Sequence, residues 1–214
     1  MPAVPRTFRR VLSLLASLLV AVPLLAACTS ATSSPNPSGP CNGAAEQSAP
    51  GFYPDLERQL PARVDGQAPT HVRSGRYCSA RTLGSLEKAG IHELQFAGGA
   101  LPDPQNRAAG LAVVVYRAPG MTLDELADAQ ANGAGNTQGV AGITAQRATI
   151  AGRSGIRIDV SVQSGPEMMF FWPTSAPGVF DAVTGIGVTE AQVAAAVAAF
   201  APTGAPGTAS TPGA

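Results

Sequence analysis

Two short runs in this chain alternate between apolar side chains on both sides of the alternation, and that feature limits the folds open to it. In Glu167-Met168-Met169-Phe170-Phe171-Trp172, a period of two puts Met168, Phe170 and Trp172 on one strand face and Met169 and Phe171 on the other. Residues 111–116 repeat the pattern, with Leu111, Val113 and Val115 on one side and Ala112, Val114 and Tyr116 on the other. Strands of this kind belong inside a sheet that is covered on both faces. The run 156–162 behaves differently: Ile156, Ile158, Val160 and Val162 alternate with Arg157, Asp159 and Ser161, as in an antiparallel strand with one wet face.

The neighbouring sequence supplies partners for these strands. Residues 143–150 alternate at period two and reach 156–162 through turn residues at 152–155, which predicts a hairpin. Gly165-Pro166 and the turn at 173–178 lead into strands over 167–172 and 179–186, extending the hairpin into a meander. A helix is predicted over 80–89, capped by Ser79 and ended by Gly90-Ile91. A second, over 123–131, opens with a Thr122/Glu125 capping box, buries Leu123, Leu126 and Ala127, and stops at Gly133 and Gly135. A third opens with Thr189 and Gln192 and carries Val193, Ala196, Val197 and Phe200 on one side. Weaker signals place a short helix at 54–59 and extended segments at 71–73 and 92–96.

The expected class is therefore α+β: a single domain with an antiparallel sheet of about five strands and two or three helices packed mainly on one face. Residues 52–96 are expected to fold over the second face. The alternative is an apolar binding surface built from Tyr116, Met168, Phe170 and Trp172.

The N-terminus carries an address. Arg6, Arg9 and Arg10 precede an uncharged run over 11–25, which is shorter than the ~20 residues a spanning helix needs and ends in small residues before Cys28. Leu25-Ala26-Ala27-Cys28 resembles the lipobox of bacterial prolipoproteins. That resemblance implies cleavage before Cys28, diacylglyceryl attachment to its thiol, and anchoring to the outer face of the bacterial plasma membrane. Two or three acyl chains are what persistent anchoring requires. The organisation expected is a signal peptide at 1–27, a flexible tether at 28–40, a globular domain at 41–200 and an uncharged disordered tail at 201–214. Cys41 and Cys78 remain as an even pair in an exported chain and are expected to form a disulfide, since no second ligand at metal spacing accompanies Cys78. In the order of its elements, the stretch 111–200 resembles the small PsbP-like lipoproteins of actinobacteria. The resemblance rests on architecture without a motif and implies no activity.

Fourteen basic residues balance fourteen acidic ones, and charged residues make up only 13% of the chain, which excludes a broad basic face for nucleic acid. Loss of 1–27 would leave eleven basic residues against fourteen acidic, a formal −3. HExxH, CxxC, GxxxxGK[ST], GxGxxG and GxSxG are all absent. Ser85-Leu86-Glu87-Lys88 matches the S-x-x-K of penicillin-recognising enzymes, but Lys88 is the single lysine, so the accompanying K-T-G cannot exist. Asp124, Glu125 and Asp128 sit where they complement a helix dipole. No catalytic residue, metal or cofactor is expected. The functional expectation is a non-enzymatic, lipid-anchored envelope protein that binds a protein partner or a small hydrophobic ligand. The alternatives are an envelope hydrolase or transferase, with His71, His92 and Asp159 as its only candidates, and a structural or export-chaperone role.

Overall fold

The computed structural model describes residues 36–43, 46–106, 108–162 and 165–201. The expectations for the signal peptide, for Cys28 and for the tail beyond Ala201 lie outside these residues. The described part belongs to one compact unit that begins at Ser34.

Eight strands form one antiparallel sheet: β1 (Gln47–Ala49), β2 (Thr70–Tyr77), β3 (Leu94–Pro102), β4 (Gly110–Arg117), β5 (Val140–Ile150), β6 (Arg153–Val162), β7 (Gly165–Pro173) and β8 (Val179–Ile186). Their spatial order is β1-β2-β3-β4-β8-β7-β6-β5. The chain crosses from the middle of the sheet to its far edge between β4 and β5, then returns strand by strand until β8 pairs with β4. The sheet is thus larger than the expected five strands. The extra strands are β1, β2 and β3, whose Gly98-Gly99 and scattered small residues give little strand signal. Gly99 is there for close packing: a Cβ on it would meet Pro69 Cβ at 2.8 Å.

Among the described residues five helices accompany the sheet: α1 (Pro54–Glu57), α2 (Ala80–Leu83), α3 (Ser85–Lys88), α4 (Leu123–Gly135) and α5 (Glu190–Ala199). They cover both faces, which corrects the expected one-sided packing. Under α1 and α5 lie Leu56, Val113, Val115, Phe170, Trp172, Val193, Ala196, Val197 and Phe200, all buried. Under α2, α3 and α4 lie Leu83, Leu86, Leu126, Ile156, Ile158, Val160, Met169 and Phe171. The two-sided strands β4 and β7 are central, as their sequences require. The segment 52–96 is divided between the two faces, α1 joining α5 on one and α2–α3 joining α4 on the other.

Local chemistry explains the helix boundaries. Both capping boxes form: Thr122 with Glu125 opens α4 and Thr189 with Gln192 opens α5. The expected single helix over 80–89 is two, because Gly84 adopts φ 58 and ψ −117 between them. Its end is as expected, with Ile91 N donating to Leu86 O at 3.0 Å and Gly90 N to Glu87 O at 3.1 Å. α4 runs through Gly133 rather than stopping there, held by its packing on α3, β5, β6 and β7. The β5–β6 turn is two residues, Ala151 and Gly152, both at positive φ, with Ile150 paired to Arg153. It lies N-terminal to the expected 152–155 because Ile150 stays in the ladder and is buried.

Cys41 and Cys78 are joined by a disulfide across 37 positions of sequence. Closing such a loop contributes about 4 kcal/mol on chain entropy alone. Beside it, the buried Arg76 guanidinium donates to Gly39 O at 2.8 Å, Asn36 O at 3.1 Å and Pro37 O at 3.4 Å. Residues 36–39, within the stretch expected as tether, are therefore fastened to β2.

Candidate functional site

The four residues proposed as an apolar surface do not share one. Trp172 is 1% exposed and Phe170 0%, both packed beneath α5, where Trp172 meets Phe200 edge to face at 5.1 Å and stacks on Phe170 at 5.4 Å. Met168 packs at the margin of the same core. Tyr116 lies on the opposite face, its ring 6.5 Å from Phe171. The separation follows from register: Val115 and Trp172 both align with Asp181 of β8, which leaves Tyr116 on the other side with Phe180.

That other face does carry an opening. Between α2–α3 and α4 lies a cleft of about 810 Å³, within the range of small-molecule sites. Leu83, Leu86, Leu94 and Tyr116 form its apolar floor. Asn132 of α4, Asn136 at its C-cap, and Arg81 and Lys88 from α2 and α3 give it a polar margin. The cleft exists because α4 and its C-cap present Ala129, Asn132, Gly133 and Asn136, none of them a bulky side chain, toward α3. A Cβ added to Gly133 would meet nothing within 4 Å. Their i, i+3, i+4, i+7 spacing was a readable signal, but the expected stop at Gly133 hid it.

The phenols sit in different environments. Burial pushes Tyr116 well above the ordinary tyrosine range, with the neighbouring Tyr77 adding to the shift. Tyr77 is stacked on Phe96 at 4.8 Å, and burial together with the Glu46 charge raises it as well. Both therefore line the cleft as neutral hydroxyls. Glu46 stays outside it: burial works against its charge, but donation from Thr82 Oγ1, Cys78 N and Ser79 N holds it at about 2.

Nucleophilic chemistry is not assembled here. Ser85 Oγ is buried in the cleft wall with no hydrogen-bond partner, so neither Lys88 nor any other group is placed to take its proton. His71 and His92 flank β3 from opposite ends: β2 pairs Thr70 with Ala100 and Tyr77 with Leu94, a separation of about 20 Å along the strands. His92 is held by Glu87 at 3.0 Å. Asp159, on β6, is bound by Arg157 at 2.8 Å. No group of three or more His, Cys, Asp or Glu side chains able to hold a metal occurs among the described residues. Among them no helix is long and apolar enough to cross a membrane.

One buried carboxyl lies away from the cleft. Asp181, 6% exposed beside Trp172, is raised by burial to about 7, while the Arg153 charge and the Trp172 indole N–H pull the other way. The indole makes no hydrogen bond of good geometry. Arg153 is occupied at the end of α5, donating to Ala201 O at 2.7 Å and Phe200 O at 3.2 Å. No known protein family, curated protein or solved structure matches this chain.

Proposed function

We propose that the protein is an exported, lipid-anchored envelope protein that binds a small amphipathic molecule in the cleft between α2–α3 and α4. The observation that carries this reading is the cleft itself: a volume of about 810 Å³ with an apolar floor, a polar margin and no assembled nucleophile. The lipobox-like Leu25-Ala26-Ala27-Cys28 supports the anchored part of the reading. The fold offers a rigid frame for such a site, since Leu94 and Tyr116 belong to strands of the sheet and Leu83 and Leu86 to helices that pack on it.

Native mass spectrometry of the protein purified from a bacterial envelope, beside Gly133→Trp, tests this. The indole fills the cleft, and replacing a helical glycine does not weaken α4. Wild type is expected to carry an adduct that Gly133→Trp has lost at an unchanged melting temperature. An adduct kept by the variant, or a bare chain in both, overturns the reading.

A further inference from the structure

Charge around the cleft narrows the ligand. Among the described residues most arginines are spoken for: Arg76 by backbone carbonyls and Glu93, Arg117 by Asp55, Arg147 by Asp124, Arg157 by Asp159 and Glu190, Arg153 by the end of α5. Arg81 and Lys88, like the exposed Arg58, Arg63 and Arg73, make no ion pair there, and of these five Arg81 and Lys88 line the cleft. No Asp or Glu lines it. Two unneutralised cations and no carboxylate thus stand at the margin of an apolar floor, although the chain as a whole is balanced. Both cations are exposed, so a neutral ligand would gain nothing from their charge. A cationic one would meet repulsion.

The cleft also lies close to the N-terminal end of the described residues. Cys78, bound to Cys41, falls between the lining residues Tyr77 and Ala80, and Arg76 next to Tyr77 grips Asn36. Asn36 follows Cys28 by eight positions, a reach of about 28 Å when fully extended. An anchor at Cys28 would keep Asn36 within about that reach of a bilayer, where acyl lipids are the abundant amphiphiles.

We infer that the cleft takes acidic acyl amphiphiles, the tail lying on Leu83, Leu86, Leu94 and Tyr116 and the anionic head meeting Arg81 and Lys88. This rests on the cleft being the binding site. The described strands, helices and both cores lie within residues 36–201, in one compact unit that begins at Ser34, so the chain from residue 29 onward carries that unit and is the form titrated.

Isothermal titration calorimetry with dodecanoate, dodecyltrimethylammonium and acetate, all below micelle formation, separates head from tail. Dodecanoate is expected to bind, the cation of equal tail length at least about tenfold more weakly, and acetate not at all. Arg81→Glu with Lys88→Glu, both exposed, should reverse the preference between the two amphiphiles. Equal binding of both amphiphiles, or a charge-reversed variant that still prefers dodecanoate, overturns the acidic-head inference and leaves the cleft. Acetate binding as tightly as dodecanoate overturns it in favour of a small-anion site. Amphiphile binding that survives Gly133→Trp removes the cleft reading itself.

Discussion

Asp181→Asn should make the protein more stable at neutral pH and less sensitive to pH. Asp181 faces Val115 and Trp172 in register on the α5 side of the sheet, and burial raises its carboxyl from 3.8 to about 7. In the unfolded chain the carboxyl ionises near its ordinary value, so the fold must hold the proton or bear a buried charge. Stability linked to this group is fully present below about pH 4 and is lost as pH rises through about 7. The displacement of roughly three pH units corresponds to about 4 kcal/mol, or about 10 °C in Tm for a chain of this size. Asparagine reproduces the neutral acid in shape and cannot ionise. Urea unfolding at intervals from pH 4 to 8, followed by far-UV circular dichroism and by Trp172, the only tryptophan, measures the difference. The two proteins should be nearly equal at pH 4 and diverge steadily, the variant being the more stable at pH 8. Parallel curves across that range would refute the reasoning, for they would mean that the carboxylate is as well accommodated in the fold as in water.

Three further outcomes are expected. Glu46→Gln removes the charged acceptor of three hydrogen bonds at the start of α2; because the folded pKa is depressed to about 2, the deficit in Tm should be clear at pH 7 and disappear as pH falls from about 4.5 through 2. Ala151→Asn relieves a non-glycine residue at φ 47 in the β5–β6 turn and should raise stability by about 1 kcal/mol in thermal melts. Cys28→Ala should move the protein out of the membrane fraction and abolish incorporation of labelled palmitate, and a variant that stays membrane-bound and labelled would dismiss the anchor.

What the sequence disclosed depended on how local the determinant was. Thr122 and Glu125 or Thr189 and Gln192 lie three residues apart and cap their helices without outside help, so α4 and α5 could be read directly. The two-sided runs of β4 and β7 announced burial on both faces, though not which helices would provide it. β1 and β3 were obscure because their strand character comes from neighbours. β1 is three residues long and is held by β2, while β3 places Gly98 and Gly99 where other side chains need the space. The cleft was obscure for a related reason. It is a gap between elements distant in sequence, and its signal was the absence of bulk along α4. Trp172 was misleading in the opposite sense: the two-sided apolar run that holds it left a binding surface open as the alternative, and the sheet register buries it under Phe200.

The joint of Arg76 and the Cys41–Cys78 bond also decides how the protein bears load. A pull on the N-terminal segment first meets the carbonyl grip on residues 36–39 and then passes covalently from Cys41 to Cys78. It thereby bypasses β1, α1 and most of β2, which would otherwise peel from the sheet edge strand by strand. With the disulfide closed, the force enters at the inner end of β2, beside the Tyr77–Leu94 pair. Reduction would release about 130 Å of slack chain before the central strands felt any tension. The cleft beside Tyr77 is thus spared deformation under such a pull for as long as that one covalent bond holds.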